Sequence, residues 1–321
     1  MKIPFEKKTE KRGNDSMIRI MIHTPVNLRG HMLDYLKNNL PNLEKKIGDK
    51  ISLYTPHDLE YCSNCSEQWL GPSIEKGIFP DLMITHVPEF ASLGNRVESG
   101  LFSDIAGQFA SEHPVREELH MLTDPHGLFY PLFVVPMVMF YNTKKIKENE
   151  LKHSWSDLFN EKFKVILPNR DKPLSRAVGA YLKHEFPDKF PEFEERAVYE
   201  GSPPSVIKSV ISGEYDIGIT NFSFAMMAEG RGIAINPPKE GFILLPQVIA
   251  WKKGADEKLK VIADLLMHED MQNYLSKQGC WPALSGIPIH DMIAYNGRLE
   301  NWQGWESYIE EVSEFDQYPG K

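Results

Sequence analysis

A chain of 321 residues is long for a single hydrophobic core and comfortable for two. Its composition, 41% hydrophobic and 25% charged residues, is typical of a soluble globular protein and shows no low-complexity tract. The formal net charge of -9 argues against nucleic acid as a partner, because phosphate backbones are bound by basic surfaces. A small anion is not excluded, since it needs only a local basic patch or a helix N-terminus.

Residues 1–16 are charged and lack the apolar segment of a secretory signal, so we expect a flexible leader there. As it stands, the sequence predicts a cytoplasmic protein; loss of an earlier leader would instead make it periplasmic or extracellular. Three cysteines cannot all pair, which also favours a reducing compartment. The most apolar stretch, residues 127–141, is interrupted by Pro131 and Pro136 and is too short to span a bilayer, so no membrane span is expected.

The first part of the chain alternates between strand-like and helix-like patterns. Strands are predicted at residues 17–23, 51–55 and 82–85, a helix follows Asn27, and another covers residues 67–76. The order βαβαβ is typical of a parallel sheet covered by helices.

Two apolar, proline-containing runs, residues 133–141 and 242–251, each lead into a polar exit. A chain that leaves a lobe once and returns once forms two lobes joined by two crossings, with a cleft between them. We therefore predict an α/β protein, and expect it to be a monomer. The predicted division is a leader of residues 1–16, a first lobe of 17–141 with 249–321, and a second lobe of 142–248.

Further helices and strands are predicted in the remaining sequence. The pattern predicts one long amphipathic helix over residues 256–278, ended by Gly279. The other predicted elements are helices at 112–122, 155–159, 176–185, 204–211 and 224–228, and strands at 165–167, 216–220 and 233–236.

Several segments, in this order, resemble the type II periplasmic solute-binding proteins, the ligand receptors of ABC importers. They are the Pro-Asp-hydrophobic strand of residues 80–85, the Tyr-Asn crossing of 139–143, the Trp-x-Asp-Leu segment of 154–158, and the segments 213–220, 241–251 and 272–279. The resemblance implies two lobes of mixed sheets flanked by helices, two hinge crossings, and closure on a small polar or anionic ligand. It also implies an ABC permease as partner, no enzymatic activity and no cofactor.

One departure from that family concerns iron. Its ferric-binding members place a tyrosine pair just after the strand that corresponds to residues 216–220, as phenolate ligands. Here the place is taken by Asn221, Phe222, Ser223 and Phe224, which offer no phenolate. A ferric site of that kind is therefore not predicted.

Candidate ligand residues in the first lobe follow strand ends, where open α/β sheets bind their ligands. Thr24 and Asn27 follow the first strand, and Asn27, as N-cap, would direct backbone N–H groups at a ligand. His86 follows the third strand in the same geometry. The alternatives are that Asn27 is only a helix cap and that His86 is a structural histidine.

In the second lobe, the segment from Arg170 to Arg176 follows a strand and opens a helix, with Ser175 as the predicted cap. Its two arginines and one lysine would form a pocket suited to a carboxylate or phosphate group. The alternative is a solvated basic loop.

Three more candidates lie at strand ends or at a crossing. Thr220 and Asn221 end a strand that faces the same cleft, although they could simply cap the next helix. Tyr141 lies at the first crossing with Asn142, where hinge packing is the alternative role.

Cys62 and Cys65 form a C-x-x-C pair between a strand and a helix. Two thiolates alone do not make a structural zinc site, and His57 or Cys280 would have to complete one. The alternatives are a surface loop with two thiols or a local disulfide. Two rivals to the importer receptor follow: a cytoplasmic ligand sensor or carrier of the same fold, and a metal- or thiol-dependent enzyme using Cys62, Cys65 and either His57 or His86.

Overall fold

The computed structural model describes residues 17–59, 68–96, 100–297, 302 and 304–320. The predictions for the leader, residues 1–16, and for Cys62 and Cys65 therefore lie outside the described residues. No helix in the described ranges is both long enough and apolar enough to cross a bilayer.

The first part of the chain forms three strands with covering helices. The elements are β1 (Met17–Ile22), α1 (Val26–Ile47), β2 (Lys50–Tyr54), α2 (Leu70–Glu75), β3 (Leu82–His86) and α3 (Ile105–Glu112), with 3₁₀ turns at Pro56–Asp58, Val87–Arg96 and Glu117–Leu122.

The rest of the chain contains both crossings, the second lobe and the C-terminal helices. In order these are β4 (Phe129–Asn142), β5 (Val165–Leu167), α4 (Pro173–Glu185), α5 (Phe190–Arg196), β6 (Val198–Tyr199), α6 (Pro203–Ile211), β7 (Ile217–Asn221), α7 (Phe222–Ala228), β8 (Ile233–Asn236), β9 (Ile243–Trp251), α8 (Lys260–Leu266), α9 (Glu269–Lys277), β10 (Trp281–Pro282), α10 (Asp291–Asn296) and α11 (Trp305–Gln317). Further 3₁₀ turns lie at Glu148–Glu150, Trp155–Phe159 and Glu257–Leu259.

The strands form one continuous hydrogen-bonded sheet in the order β2-β1-β3-β9-β4-β7-β5-β6, and β8 and β10 each pair with another part of β4. At one end β1 runs parallel to β2 and β3, and at the other end β5 runs parallel to β6 and β7. The two crossing strands, β4 and β9, are antiparallel neighbours at the centre. The predicted α/β architecture, with a mixed sheet and two crossings, is confirmed.

The crossing strands are the most deeply buried elements. Every residue of β4 and of β9 is buried, because each strand has neighbours on both sides and helices against its faces. Proline cannot donate to a sheet ladder, and the register of β4 against β9 shifts between Pro131 and Phe133. The prolines therefore interrupt the ladder without breaking either strand.

Two helix predictions were wrong in extent. The helix predicted over residues 256–278 is divided, because His268 takes an extended conformation and its ring accepts a hydrogen bond from the Asp270 N–H, which caps α9. The helix predicted over residues 112–122 is a 3₁₀ turn that begins at Glu117. Pro114 lacks an N–H and disfavours helical geometry in the preceding residue, so α3 ends at Glu112.

The C-terminal helix α11 packs on both sides of the cleft. At its start, the Trp305 indole donates to the Leu122 carbonyl at 3.1 Å, in the predicted first lobe. At its end, Phe315 packs against α4 at Gly179, in the predicted second lobe. The lobe boundaries stay a prediction, but α11 is not confined to the first lobe.

Gly179→Ala tests the packing of α11 on α4. A Cβ at Gly179 would lie 2.1 Å from Cε2 of Phe315, so the helices must separate or the ring must move. We expect the free energy of unfolding, measured in urea, to fall by about 1–3 kcal/mol. Gly30→Ala in α1 is the matched control, since a Cβ added there would meet no atom within 4 Å and the change favours the helix by about 0.5–1 kcal/mol. Equal stability of the two variants would contradict this packing.

Candidate ligand-binding site

A cavity of about 240 Å³ lies between the two lobes and against the crossing strands. The first lobe contributes residues from the start of α1 and the ends of β2 and β3, and the second lobe contributes the starts of α4, α6 and α7. The lining residues are Thr24, Pro25, Val26, Arg29, His57, His86, Val135, Met137, Lys172, Pro173, Leu174, Ser202, Pro203, Asn221, Phe224 and Leu245.

The first-lobe wall is built where β1 gives way to α1. Thr24 is fully buried, and its hydroxyl has no hydrogen-bond partner among the described residues. The Arg29 guanidinium donates from Nε and Nη2 to the Thr24 carbonyl at 3.2 and 3.0 Å, which fixes the arginine against this wall. A buried hydroxyl without a partner costs free energy, so a ligand that bonds to Thr24 would recover it.

His86 ends β3 and packs edge-on against His23, with ring centroids 4.7 Å apart. His23 in turn accepts a hydrogen bond from the Trp69 indole at 3.0 Å. This buried contact holds the His86 ring beside the cavity.

The second-lobe wall is built from helix starts. Proline lies at the beginning of α4 and of α6, a position where its missing N–H costs nothing. Lys172 precedes α4 and Ser202 precedes α6, so both residues line the cavity at these helix starts. Asn221 ends β7, and its side chain accepts the Phe224 N–H at 3.0 Å as the cap of α7.

The charged side chains of the described lining are basic. Arg29 and Lys172 come from opposite lobes, His57 and His86 add two imidazoles, and the described lining contains no aspartate or glutamate. The N-termini of α1, α4 and α6 add positive electrostatic potential at the same place. Basic side chains and helix N-termini from both lobes therefore gather at this cavity.

Three of the predicted site residues line this cavity: Thr24, His86 and Asn221. Three others lie nearby without being part of its lining. Asn27 is the second residue of α1 and not its cap, and its amide donates across the cleft to Ser223 Oγ at 3.0 Å. Thr220 is buried opposite Val138 in the sheet.

Tyr141 also lies outside the lining, in β4 between β7 and β8. Burial, with smaller contributions from the charges of Glu148 and Glu229, raises the pKa of this phenol. Its position is that of a packed crossing residue, the alternative role considered for it.

The predicted basic pocket of the second lobe faces away from the cavity, except for Lys172. Helix α4 begins at Pro173, so Ser175 does not cap it; the Ser175 hydroxyl donates to the Pro168 carbonyl at 2.7 Å. Arg170 pairs with Glu194 and donates to the Phe315 and Tyr318 carbonyls at the end of α11.

Arg176 is fully buried and forms a two-pronged ion pair with Asp316 at 2.8 and 2.6 Å. The sequence pattern did not reveal the partners of Arg170 and Arg176 in α11, because those partners lie about 140 residues later in the chain.

Sequence analysis missed several lining residues, among them Arg29, Ser202 and the apolar side chains of β4 and β9. Arg29 could have been found, since it lies three residues after Val26 and so shares its helix face. Ser202 precedes Pro203 at a helix start, which is a recognisable signal. Among the described residues, no group of three or more His, Cys, Asp or Glu side chains could hold a metal ion.

The profile of one protein family, bacterial extracellular solute-binding proteins, matches residues 78–310, more than half of the chain. The chain belongs to the bacterial extracellular solute-binding protein family. It is thus a solute-binding protein with the type II fold, of the kind that serves as receptor for an ABC importer. A search of curated proteins found no match.

Solved structures similar to this solute-binding protein include several ferric-binding proteins. The ferric binding protein from Campylobacter jejuni has a TM-score of 0.69 at 14% identity, covering 94% of this chain and 97% of that chain. Apo ferric ion-binding protein A of Pasteurella haemolytica has a TM-score of 0.70 at 15% identity, covering 94% and 96%. A Trichodesmium protein in complex with iron and citrate ligands has a TM-score of 0.67 at 16% identity, covering 95% and 100%. Identities this low show the fold alone. Both the family and these neighbours are binding proteins.

Thr24→Val tests whether the unpaired hydroxyl belongs to the binding site. Without ligand, we expect the variant to be as stable as the parent or more stable by about 1 kcal/mol, because a buried hydroxyl without a partner is removed. With ligand, we expect affinity to fall roughly 2- to 10-fold, the value of one net hydrogen bond. Urea unfolding and calorimetric titration measure the two effects. Tyr141→Phe is the control and should leave affinity unchanged; a loss confined to Tyr141→Phe would contradict the assignment.

Proposed function

We propose that this solute-binding protein captures a small anion, bearing carboxylate, phosphate or a similar oxyanion group, between its lobes and delivers it to an ABC permease. The observation that carries the proposal is the pairing of Arg29 and Lys172 on opposite walls of a cavity whose described lining has no carboxylate.

An anion between two cations from different lobes also explains closure. A ligand shifts a conformational equilibrium only by its differential affinity for the two states. In an open form the anion would contact one wall, whereas in the closed form it would contact both Arg29 and Lys172. Each charge-assisted hydrogen bond contributes about 1.5–3 kcal/mol, so the second wall supplies the differential affinity.

The size of the cavity limits the ligand. At about 240 Å³ it is smaller than the pockets of roughly 300–1,000 Å³ that hold drug-sized molecules. The apolar side chains of Val135, Met137 and Leu245 line its crossing-strand side. A compact oxyanion with a short apolar part fits these dimensions and this lining.

Iron is a second candidate, because several neighbours are ferric-binding proteins. The residues after β7 offer no phenol, and the described lining contains no tyrosine and no carboxylate, the donors that Fe³⁺ would need. A bare ferric ion therefore fits this lining poorly. A ferric ion already wrapped in an anionic chelator would instead be bound through the chelator's negative charge.

We also propose that the ligand is released unchanged, so that the protein is a receptor and not an enzyme. The family supports binding, while the enzyme hypothesis rests on Cys62 and Cys65, outside the described residues. A cytoplasmic sensor of the same fold would use the same cavity, and the presence of a permease that accepts the closed protein distinguishes the two.

The ligand class is tested on protein refolded free of bound solutes. Thermal-shift and calorimetric titrations would use citrate, inorganic phosphate, ferric ion alone, ferric citrate and the dication putrescine. We expect at least one anion to raise the melting temperature by mass action, with putrescine inactive. Binding of putrescine or of ferric ion alone, with no response to any anion, would overturn the proposal.

Arg29→Met and Lys172→Met test the two cationic walls. Each keeps much of the length of the side chain and removes its charge, so we expect the affinity for the bound anion to fall about 10- to 100-fold. Lys37→Met on α1 and Lys208→Met on α6 are matched controls, since both lysines are exposed and lie outside the cavity. Equal losses in the controls would indicate a general field effect instead of contact with the ligand.

A further inference from the structure

A buried ion pair crosses the cleft behind the cavity. Glu89 lies in the 3₁₀ turn after β3, and Arg176 lies in the first turns of α4. Arg176 Nη1 is 3.6 Å from Glu89 Oε1, and both side chains are 0% exposed. The pair therefore joins the first lobe to the second in a place that water does not reach.

Each member of this pair lies close along the chain to a cavity residue. Glu89 follows the lining residue His86 by three positions. Arg176 follows Lys172 by four, and its N–H donates to the Lys172 carbonyl at 3.0 Å. When the two cavity walls move apart, the distance between Glu89 and Arg176 therefore increases as well.

Glu89 has partners within its own lobe. The Trp69 backbone N–H donates to Glu89 Oε2 at 3.1 Å, and His23 Nδ1 lies 4.0 Å from Glu89 Oε1. Separation of the lobes would leave these contacts in place.

Arg176 also keeps a partner independent of Glu89. Its two-pronged bond to Asp316 joins it to α11, which is held on α4 by a further ion pair of Lys183 with Glu314 and by a contact of 3.3 Å between His184 Nδ1 and Glu311 Oε1. Burial by itself would lower the pKa of Arg176, but the Asp316 hydrogen bond and the charges of Glu89 and Asp316 outweigh it and raise the pKa. Because an arginine is not deprotonated in proteins, Arg176 stays charged whether or not Glu89 is near.

We infer that the Glu89–Arg176 pair is a closing contact that positions the two cavity walls and sets ligand affinity without touching the ligand. Breaking a buried ion pair is costly when it leaves an uncompensated charge. Here each partner retains other contacts when the lobes separate, so neither charge is left wholly uncompensated.

This inference does not depend on which solute is bound. The apparent affinity of a closing protein is reduced by the fraction of molecules that reach the closed form. Weakening the closing contact should therefore weaken every ligand of the cavity, mainly by faster dissociation.

The test uses Glu89→Gln in the whole chain. The amide oxygen can still accept the Trp69 N–H, while the charge that attracts Arg176 is removed. Glu194→Gln is the matched control: Glu194 is also a buried carboxylate and is paired with Arg170, but both lie within the second lobe. Small-angle X-ray scattering of the two variants and the parent, without ligand, measures how open each one is.

We expect Glu89→Gln to increase the radius of gyration of the ligand-free protein while Glu194→Gln leaves it unchanged. With citrate as probe, and phosphate if citrate does not bind, dissociation should be about tenfold faster in Glu89→Gln alone. Unchanged scattering in Glu89→Gln, or equal expansion in both variants, would overturn the inference. Because scattering needs no ligand, failure of the anion proposal would not be mistaken for failure of this one.

Discussion

The pairing of β4 with β9 is the constraint on which the rest of the structure depends. The two strands are antiparallel neighbours from Phe129 opposite Ala250 to Met137 opposite Ile243, and every residue in both is buried. Their ladder carries one sheet through both lobes, so the lobes share a core at the crossing. Val135 and Leu245, which lie opposite each other in this ladder, line the cavity together with Met137.

The position of the cavity follows from that sheet. Parallel strands on either side of the crossing end toward the cleft, and the helices that follow begin there, so backbone N–H groups and short polar side chains gather around one space. Arg29 and Lys172 are then brought together although 143 positions separate them in the sequence. The binding chemistry comes from where helices begin, while the crossing strands supply the apolar side.

In the second lobe, the basic residues of one short segment take different roles. Lys172 lines the cavity, but Arg170 and Arg176, on the same short segment, turn to α11 and bind its carbonyls and Asp316. α11 packs on both lobes, so it can hold α4 in register with the first-lobe wall. Solute capture in this protein thus depends on side chains behind the cavity as well as on those that line it.

Local patterns in the sequence determined most strands, most helices, the two crossings and the family, because hydrophobic period, proline and glycine act over a few residues. They also located Thr24, His86 and Asn221 at strand ends. Only the tertiary structure decided which basic residues line the cavity. Arg176 and Asp316 lie 140 positions apart, and nothing local reveals that α11 folds back to neutralise that arginine while Arg29 remains beside the cavity. Partner choice between distant charges is set by packing, and packing is a property of the whole chain.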